Sequence, residues 1–283
     1  MNILFTGCTS YIGKYLILKF LENRKHKLIG ISRSDPKINH KRFRWFKHDL
    51  TYLPFNKIKN IDIIIHIAGA ALRKENSFND YVQGNIFMAY NLSKTSNYYK
   101  PKMIIYASTR EVYGEINSKI LTEKNNILNP IFYGQTKYLA EQILSASCKT
   151  ISLRLPAVLG KGTHGWISKV YKKMMNNQKI KFLNSKFNNF IYVDDIYGII
   201  DNFINKRIFI DDHFNVSCSS VTTSEKLLIF MKNYLNSKSK IIKEKKKNHS
   251  YTISSKKLSK YYKTKSVNET IIHFLKEQNN NKQ

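Results

Sequence analysis

Short apolar runs alternate along this chain with longer stretches in which apolar residues recur every three or four positions. Asn2-Ile3-Leu4-Phe5 is such a run, and Tyr11 to Asn23 follows with helical spacing through Tyr15, Leu16, Leu18, Phe20 and Leu21. The same alternation predicts strands at Lys27 to Ile31, Phe43 to Lys47, Ile61 to Ile67 and Lys102 to Ala107. Helices are predicted at Phe78 to Tyr99 and from Ile131 to Cys148, the second entered through the turn formers Asn129-Pro130. Strands that alternate with helices imply an α/β fold with a parallel sheet covered on each side.

Composition narrows the picture. The 283 residues are 42% hydrophobic, enough for a full core and for one large α/β domain or a main domain with a smaller companion. No apolar run reaches the ~18 residues that a membrane span needs, and the apolar start lacks a basic flank, so neither a transmembrane segment nor a signal peptide is expected. Cys8, Cys148 and Cys218 are far apart, without metal or disulfide spacing, which suits a reducing cytoplasm and no metal site. A net charge of +29 raises the question of nucleic acid. Lysine, however, rises together with Asn and Ile throughout, and the densest run, Lys238 to Lys265 with eleven lysines against Glu244, reads as a solvated surface segment or, second to that, as an attractor of an anionic substrate. No specific nucleic-acid partner is expected.

The candidate chemistry lies at the ends of the predicted strands. Thr6-Gly7-Cys8-Thr9-Ser10-Tyr11-Ile12-Gly13 joins a strand to a helix as a phosphate-binding loop does, with Gly7 for the tight turn, Gly13 for close packing and the helix N-terminus for a pyrophosphate. Ser10 stands where a middle glycine is expected, so its side chain must turn away or add a hydrogen bond. After the second strand comes Ser32-Arg33-Ser34; a cation there accommodates a ribose 2′-phosphate, so Arg33 argues for NADP over NAD. Ala68-Gly69-Ala70-Ala71 are small enough to let a cofactor come close. Ser108 to Gly114 ends the strand at Lys102 to Ala107, and Tyr133 and Lys137, four apart, share a helix face. A cation beside the phenol is expected to pull its pKa down toward working pH, giving a group that exchanges a proton with a substrate hydroxyl or carbonyl.

These pieces, with Asp49-Leu50, His66 to Gly69, Asn85, Arg154 to Gly160 and Ile191 to Asp195, occur in the order of the extended short-chain dehydrogenases/reductases. The chain resembles that family's NAD(P)-dependent sugar epimerase/dehydratase group. The resemblance implies a Rossmann-type doubly wound parallel sheet, residues 1–159 plus about 190–216, and a smaller C-terminal α/β substrate domain, about 160–189 plus 217–283. It implies Tyr133 as acid/base, Lys137 holding the nicotinamide ribose, Thr109 bonding the reacting oxygen, Asn85 as the helix asparagine of a water relay or a helix-surface residue, and Glu111 as a second acid/base or a salt-bridge partner. Gly7, Thr9, Ser10, Tyr11, Ile12, Gly13, Arg33, Asp49, Leu50, Ala68, Gly69, Ala70 and Pro156, with Tyr133 and Lys137, would line the cofactor. Asp194 and Asp195 would tie the domains together or cap a helix.

Within the group, Arg110 replaces the acid of a 4,6-dehydratase, and Arg33 points from NAD toward NADP(H). The expectation is therefore an NADP(H)-dependent reductase of a 4-keto sugar nucleotide, in surface polysaccharide precursor synthesis and acting as a homodimer through the two helices. The alternatives are an NAD(H)-dependent 4-epimerase, a dehydratase or decarboxylase relative, and a catalytically silent NADP-binding regulator. Substrate contacts are expected from Gly160 to Gly165 at a helix N-terminus and from Phe182, Phe187 and Phe190 stacking on a base or packing in a core. Asn188-Asn189 stand where relatives place an arginine, with Lys161, Lys186 or the lysine-rich tail to compensate.

Overall fold

A computed structural model describes residues 1–161, 163, 165–245 and 250–279. They form two compact units. The first holds Met1–Glu115, Asn125–Arg154 and Ile196–Phe214; the second holds Ile116–Lys124, Leu155–Asp195 and Asn215–Gln283. The chain thus changes unit at Arg154 and Ile196 rather than near 159 and 190. Residues 116–124 leave the first unit because Ile120–Leu121 pairs with Thr252–Ile253.

The first unit is built on β1 (Asn2–Thr6), β2 (Lys27–Ser32), β3 (Phe43–Lys47), β4 (Ile63–His66), β5 (Met103–Thr109), β6 (Thr150–Leu155) and β7 (Asp212–Asn215). They lie in the order β3-β2-β1-β4-β5-β6-β7, a Rossmann-type arrangement with its strand order reversing beside β1. Leu4 pairs in parallel register with Ile29 on one side and Ile64 on the other. Both faces are covered, as the apolar strands require. Leu4, Ile64 and Ile104 pack in one core cluster with Ala89, Leu92, Ala140 and Leu144. On the opposite face Phe5 meets Phe20 of α1 (Tyr11–Asn23) edge-on at 5.9 Å, and Phe20 meets Tyr197 at 5.0 Å. Each such aromatic buries ~1.5–3 kcal/mol of transfer free energy.

The long helix predicted at Phe78 to Tyr99 is continuous but not uniform. α2 (Phe78–Tyr81), entered through a Ser77–Asp80 capping box, passes into a π-helical stretch at Val82–Phe87 before α3 (Met88–Tyr99) resumes the ordinary pitch. Gly84 lies in that stretch against Ala70, whose Cβ would be 2.8 Å from a Cβ added at Gly84. The absence of a side chain there lets the loop after β4 lie on the helix. α4 spans Phe132–Ser145.

The second unit has helices Trp166–Met175, Ser224–Tyr234 and Val267–Asn279 with paired short strands, among them Ala157–Leu159 beside Phe190–Tyr192. Asn188 is buried, and its amide grips the backbone of Ile253 in both directions, Nδ2 donating to the carbonyl at 2.8 Å and Oδ1 accepting from the N–H at 2.9 Å. That engagement makes it a structural pin rather than a diphosphate clamp. Phe182 and Phe190 are core residues; Phe187 packs edge-on against Trp166 at 5.5 Å. Asp194 and Asp195 stand in the first turn of helix Val193–Asn205, where Lys265 Nζ reaches both at 3.1 and 3.2 Å and Tyr262 donates to Asp195. Gly162 and His164 of the predicted diphosphate turn, and 246–249 of the lysine run, lie outside the described residues.

Candidate active site

The glycine loop closes as its sequence requires. Gly7 has φ +70°, a conformation L side chains rarely adopt, and a Cβ there would meet the backbone of Ala68 at 2.6 Å. A Cβ at Gly13 would fall 2.2 Å from the Gly7 carbonyl oxygen. Ser10 is the N-cap of α1: its hydroxyl accepts from Gly13 N–H at 3.1 Å and donates to the Gly7 carbonyl at 2.8 Å. The side chain in the middle-glycine position therefore turns back into the loop, leaving the approach to the helix N-terminus open.

That approach is a cavity of about 250 Å³ lined by Gly7, Thr9, Ser10, Arg33, Asp49, Leu50, Ala68 and Gly69, among others. Eight of the predicted cofactor residues are thus brought together. Tyr11, Ile12 and Gly13 belong to the first turn of α1 rather than to the cavity wall, Ala70 lies beyond it against Asn85, and Pro156 belongs to the second unit. The open loop end and the glycine-tight turn fit the diphosphate half of a dinucleotide. Arg33 is exposed on the wall, but the Ser32 hydroxyl is already engaged, receiving Trp45 Nε1–H at 2.9 Å and Cys8 S–H at 3.0 Å while donating to the Ser34 carbonyl. Asp49 holds Thr51 through one carboxylate oxygen.

Beneath the cavity runs a buried polar chain whose connections the sequence did not disclose. Thr6 Oγ1 accepts the N–H groups of Ile67 and Ala68, so its own proton goes to His66 Nδ1 at 2.6 Å and His66 carries its hydrogen on Nε2. Burial holds this imidazole neutral, its pKa down to about 3. The ring stacks on Tyr106 at 5.2 Å, and Lys137 Nζ lies over the other ring of that pair, 4.1 Å from the Tyr106 centroid, donating to the Ala107 carbonyl at 2.7 Å. Two polar residues at the carboxyl ends of adjacent apolar strands were the available signal.

Tyr133 is hydrogen-bonded to Thr109, and Lys137 lies one turn further along α4. The expected acidification of the phenol does not occur in this arrangement. Burial pushes Tyr133 up to about 12, with Glu111 adding to the rise and the Thr109 bond opposing it, while burial brings Lys137 down to about 7 against the pull of Glu141. Desolvation outweighs a cation whose N–H is turned to Ala107. Glu111 forms an ion pair with Arg110 at 2.6 Å, the salt-bridge alternative of the two foreseen. Asn85 is not a surface residue: it is buried in the π-helical stretch, its Oδ1 accepting from Ala70 N–H and its Nδ2 donating to Thr136 Oγ1, both at 3.0 Å.

One further group was missed. Glu141, four residues past Lys137, receives Arg154 through Nε at 3.1 Å and Nη2 at 2.8 Å, and also the Ser108 hydroxyl, all three side chains buried. It joins α4, β5 and β6 directly behind Thr109 and Lys137. A carboxylate on the apolar stripe Lys137, Ala140, Glu141, Leu144 was its trace in the sequence.

The chain matches the model of the NAD dependent epimerase/dehydratase family over residues 3–217. It belongs to that family. Epimerase/dehydratase relatives include the dTDP-D-glucose 4,6-dehydratase of Dictyostelium discoideum, 29% identical over 245 residues, with 72% of this chain and 56% of the relative covered. The Bacillus subtilis (strain 168) protein named uncharacterized UDP-glucose epimerase YtcB is 29% identical over 161 residues, 50% of each chain. The chain thus spans little more than half the length of these two curated relatives. Among solved structures, the UDP-glucuronic acid 4-epimerase from Bacillus cereus in complex with NAD superposes with a TM-score of 0.82 at 20% identity, all of both chains covered. Bordetella bronchiseptica WbmG in complex with NAD gives 0.82 at 18%, covering 99% of this chain and 94% of that one. These two likenesses show the epimerase/dehydratase family's fold. No helix among the described residues is long and apolar enough to cross a membrane.

Proposed function

We propose that this protein is an NAD-dependent 4-epimerase of a nucleoside-diphosphate sugar. The observation that carries the reading is the hydrogen bond of Thr109 to Tyr133 with Lys137 one turn along the same helix, its Nζ close to Gly69 of the loop cavity, and with Arg110, ion-paired to Glu111, standing where an elimination would need an acid. Such a site can oxidise and restore a carbinol without expelling water. The relatives and neighbours that carry epimerase names, several of the structures in complex with NAD, support the same choice over the expected reductase.

Bound in the cavity, a nicotinamide dinucleotide supplies hydride acceptance and return at the carbon bearing oxygen. The chain supplies the rest. Tyr133 Oη takes the proton of the sugar hydroxyl and later returns it, held in place by Thr109. A phenol at about 12 ionises too rarely near neutral pH, so the step depends on a protonated Lys137 nearby and on Arg110 offsetting the Glu111 charge. Thr6, His66 and Tyr106 keep the floor of the site dry and fixed. A homodimer is part of the proposal, formed through the exposed apolar side chains of Phe87, Tyr90 and Leu139 on the helices flanking the site.

The deciding experiment identifies the nucleotide carried by freshly purified protein and then offers UDP-glucose with no added cofactor, following the 4-epimer by chromatography. Retained NAD and turnover without added cofactor are expected. Empty protein that oxidises NADPH only with a 4-keto sugar nucleotide would overturn this in favour of the reductase, the reading that Arg33 on the cavity wall supports.

A further inference from the structure

At the other edge of the same sheet is a second cavity, of about 650 Å³, bounded by the first residues of β1, β2 and β3 and by the loop 56–59. Strands of five or six residues put it roughly 15 Å from the carboxyl edge, at ~3.3 Å per residue. Its charge is one-sided. Lys27, Lys41, Arg42, Arg44, Lys57 and Lys59 line it and no carboxylate does. Lys and Arg make up 48 of 283 residues, about one in six, whereas they are six of the thirteen residues of this lining, so the lysine-rich composition alone does not account for it. None of the six is in an ion pair among the described residues.

The walls are held in place. The Arg42 guanidinium donates to the carbonyls of Leu21 and Arg24 at the end of α1, which fixes its charge at the rim. Ile58 N–H donates to Tyr99 Oη at 3.0 Å, which anchors the loop carrying Lys57 and Lys59. Phe43 closes over Gly30, where a Cβ would meet its ring at 2.6 Å. At the side stands Tyr98, 65% exposed and packed edge-to-face on Tyr99 at 4.8 Å, so one ring face is open to a planar ligand. A fixed cleft of this size takes a small molecule, since such sites run to about 300–1,000 Å³.

We propose that this cleft is a second ligand site for a nucleoside polyphosphate, its phosphates among the lysines and its base on Tyr98. The site is independent of the cofactor cavity and goes beyond the epimerase reading. The test uses the full chain saturated with NAD, at about 0.15 M salt so that loose surface attraction is screened. A fluorescent ATP analogue and inorganic tripolyphosphate are titrated in turn. Lys41→Glu with Lys59→Glu is expected to weaken both by about tenfold or more, the effect of losing a charge-assisted contact. Tyr98→Ala is expected to weaken the nucleotide and leave tripolyphosphate unchanged, and it decides the matter alone if the double variant unfolds. Lys169→Glu with Lys172→Glu makes the same charge change on the exposed face of helix Trp166–Met175 and is expected to alter neither. Equal weakening by that control pair, no binding at this salt, or an unchanged nucleotide affinity in Tyr98→Ala would overturn the proposal. So would a single-stranded oligonucleotide that binds these residues more tightly than the nucleotide.

Discussion

Lys137 holds a positive charge where water cannot reach it. Its pKa in the folded protein is about 7, against the usual 10.5, so between those values the unfolded chain binds more protons than the native one. Its contribution to stability therefore improves as pH rises from about 7 to 10.5, and at neutral pH the buried ammonium is a burden. Lys137→Met is expected to abolish epimerisation while raising Tm at pH 7 by a few degrees, at ~2–4 °C per kcal/mol for a chain of this size. The gain should shrink toward pH 10, and scanning calorimetry at both values checks it. At Tyr133 the neighbouring Glu111 raises the phenol pKa and Arg110 is its ion partner. Glu111→Gln should move the acidic limb of the kcat profile to lower pH, and Arg110→Ala should move it higher; a coincident shift in both would remove Glu111 from the electrostatics of the site. Tyr133→Phe should lower kcat by about 10²–10⁴ with the bound nucleotide retained. That Tyr133 and Lys137 stand one turn apart on one helix was legible from their spacing, but the direction of their pKa shifts was not. Burial decides that direction, and four residues of sequence do not reveal burial.

Five strands of the first unit were legible as runs rich in apolar residues, and the helices that begin near Tyr11, Phe78 and Ile131 as apolar stripes, whereas Thr150–Leu155 and Asp212–Asn215, interrupted by polar residues, gave no such run. Helix Tyr11–Asn23 and strand Phe43–Lys47 end where the sequence pattern ends. The π-helical stretch left no trace, since its extra residue per turn changes the phase of the stripe without interrupting it. Nor did the second unit's strands, two or three residues long and too short to show a period. The buried Glu141–Arg154 pair joins three elements, and its cost appears when it is broken. Glu141→Leu or Arg154→Met alone should destabilise by about 3–5 kcal/mol, whereas Glu141→Leu with Arg154→Met should recover most of that. Urea unfolding of the two singles and the double measures the coupling. Full additivity would mean that the pair acts as two separate residues.

At the scale of the whole chain, the +29 charge says little about fold and more about partners. The dimer proposal makes its own prediction. Tyr90→Glu with Leu139→Lys, both on exposed helix faces, should yield a monomer by light scattering with the Rossmann-type unit still folded. The resemblance anticipated two interleaved units, but not that residues 116–124 join the second, because that rests on Ile120–Leu121 pairing with a strand more than 130 residues later. That interleaving also governs how the protein is made. The first unit finishes only with Phe214, about three quarters of the way along the chain, and helix Val193–Asn205 is what brings Tyr197 against Phe20. During synthesis from the N-terminus, the apolar face carrying Phe5 and Phe20 therefore waits for residues 193–205 to leave the ribosome. The growing chain is most exposed to aggregation and to chaperones in that interval, and a pause in translation before residue 193 would prolong it.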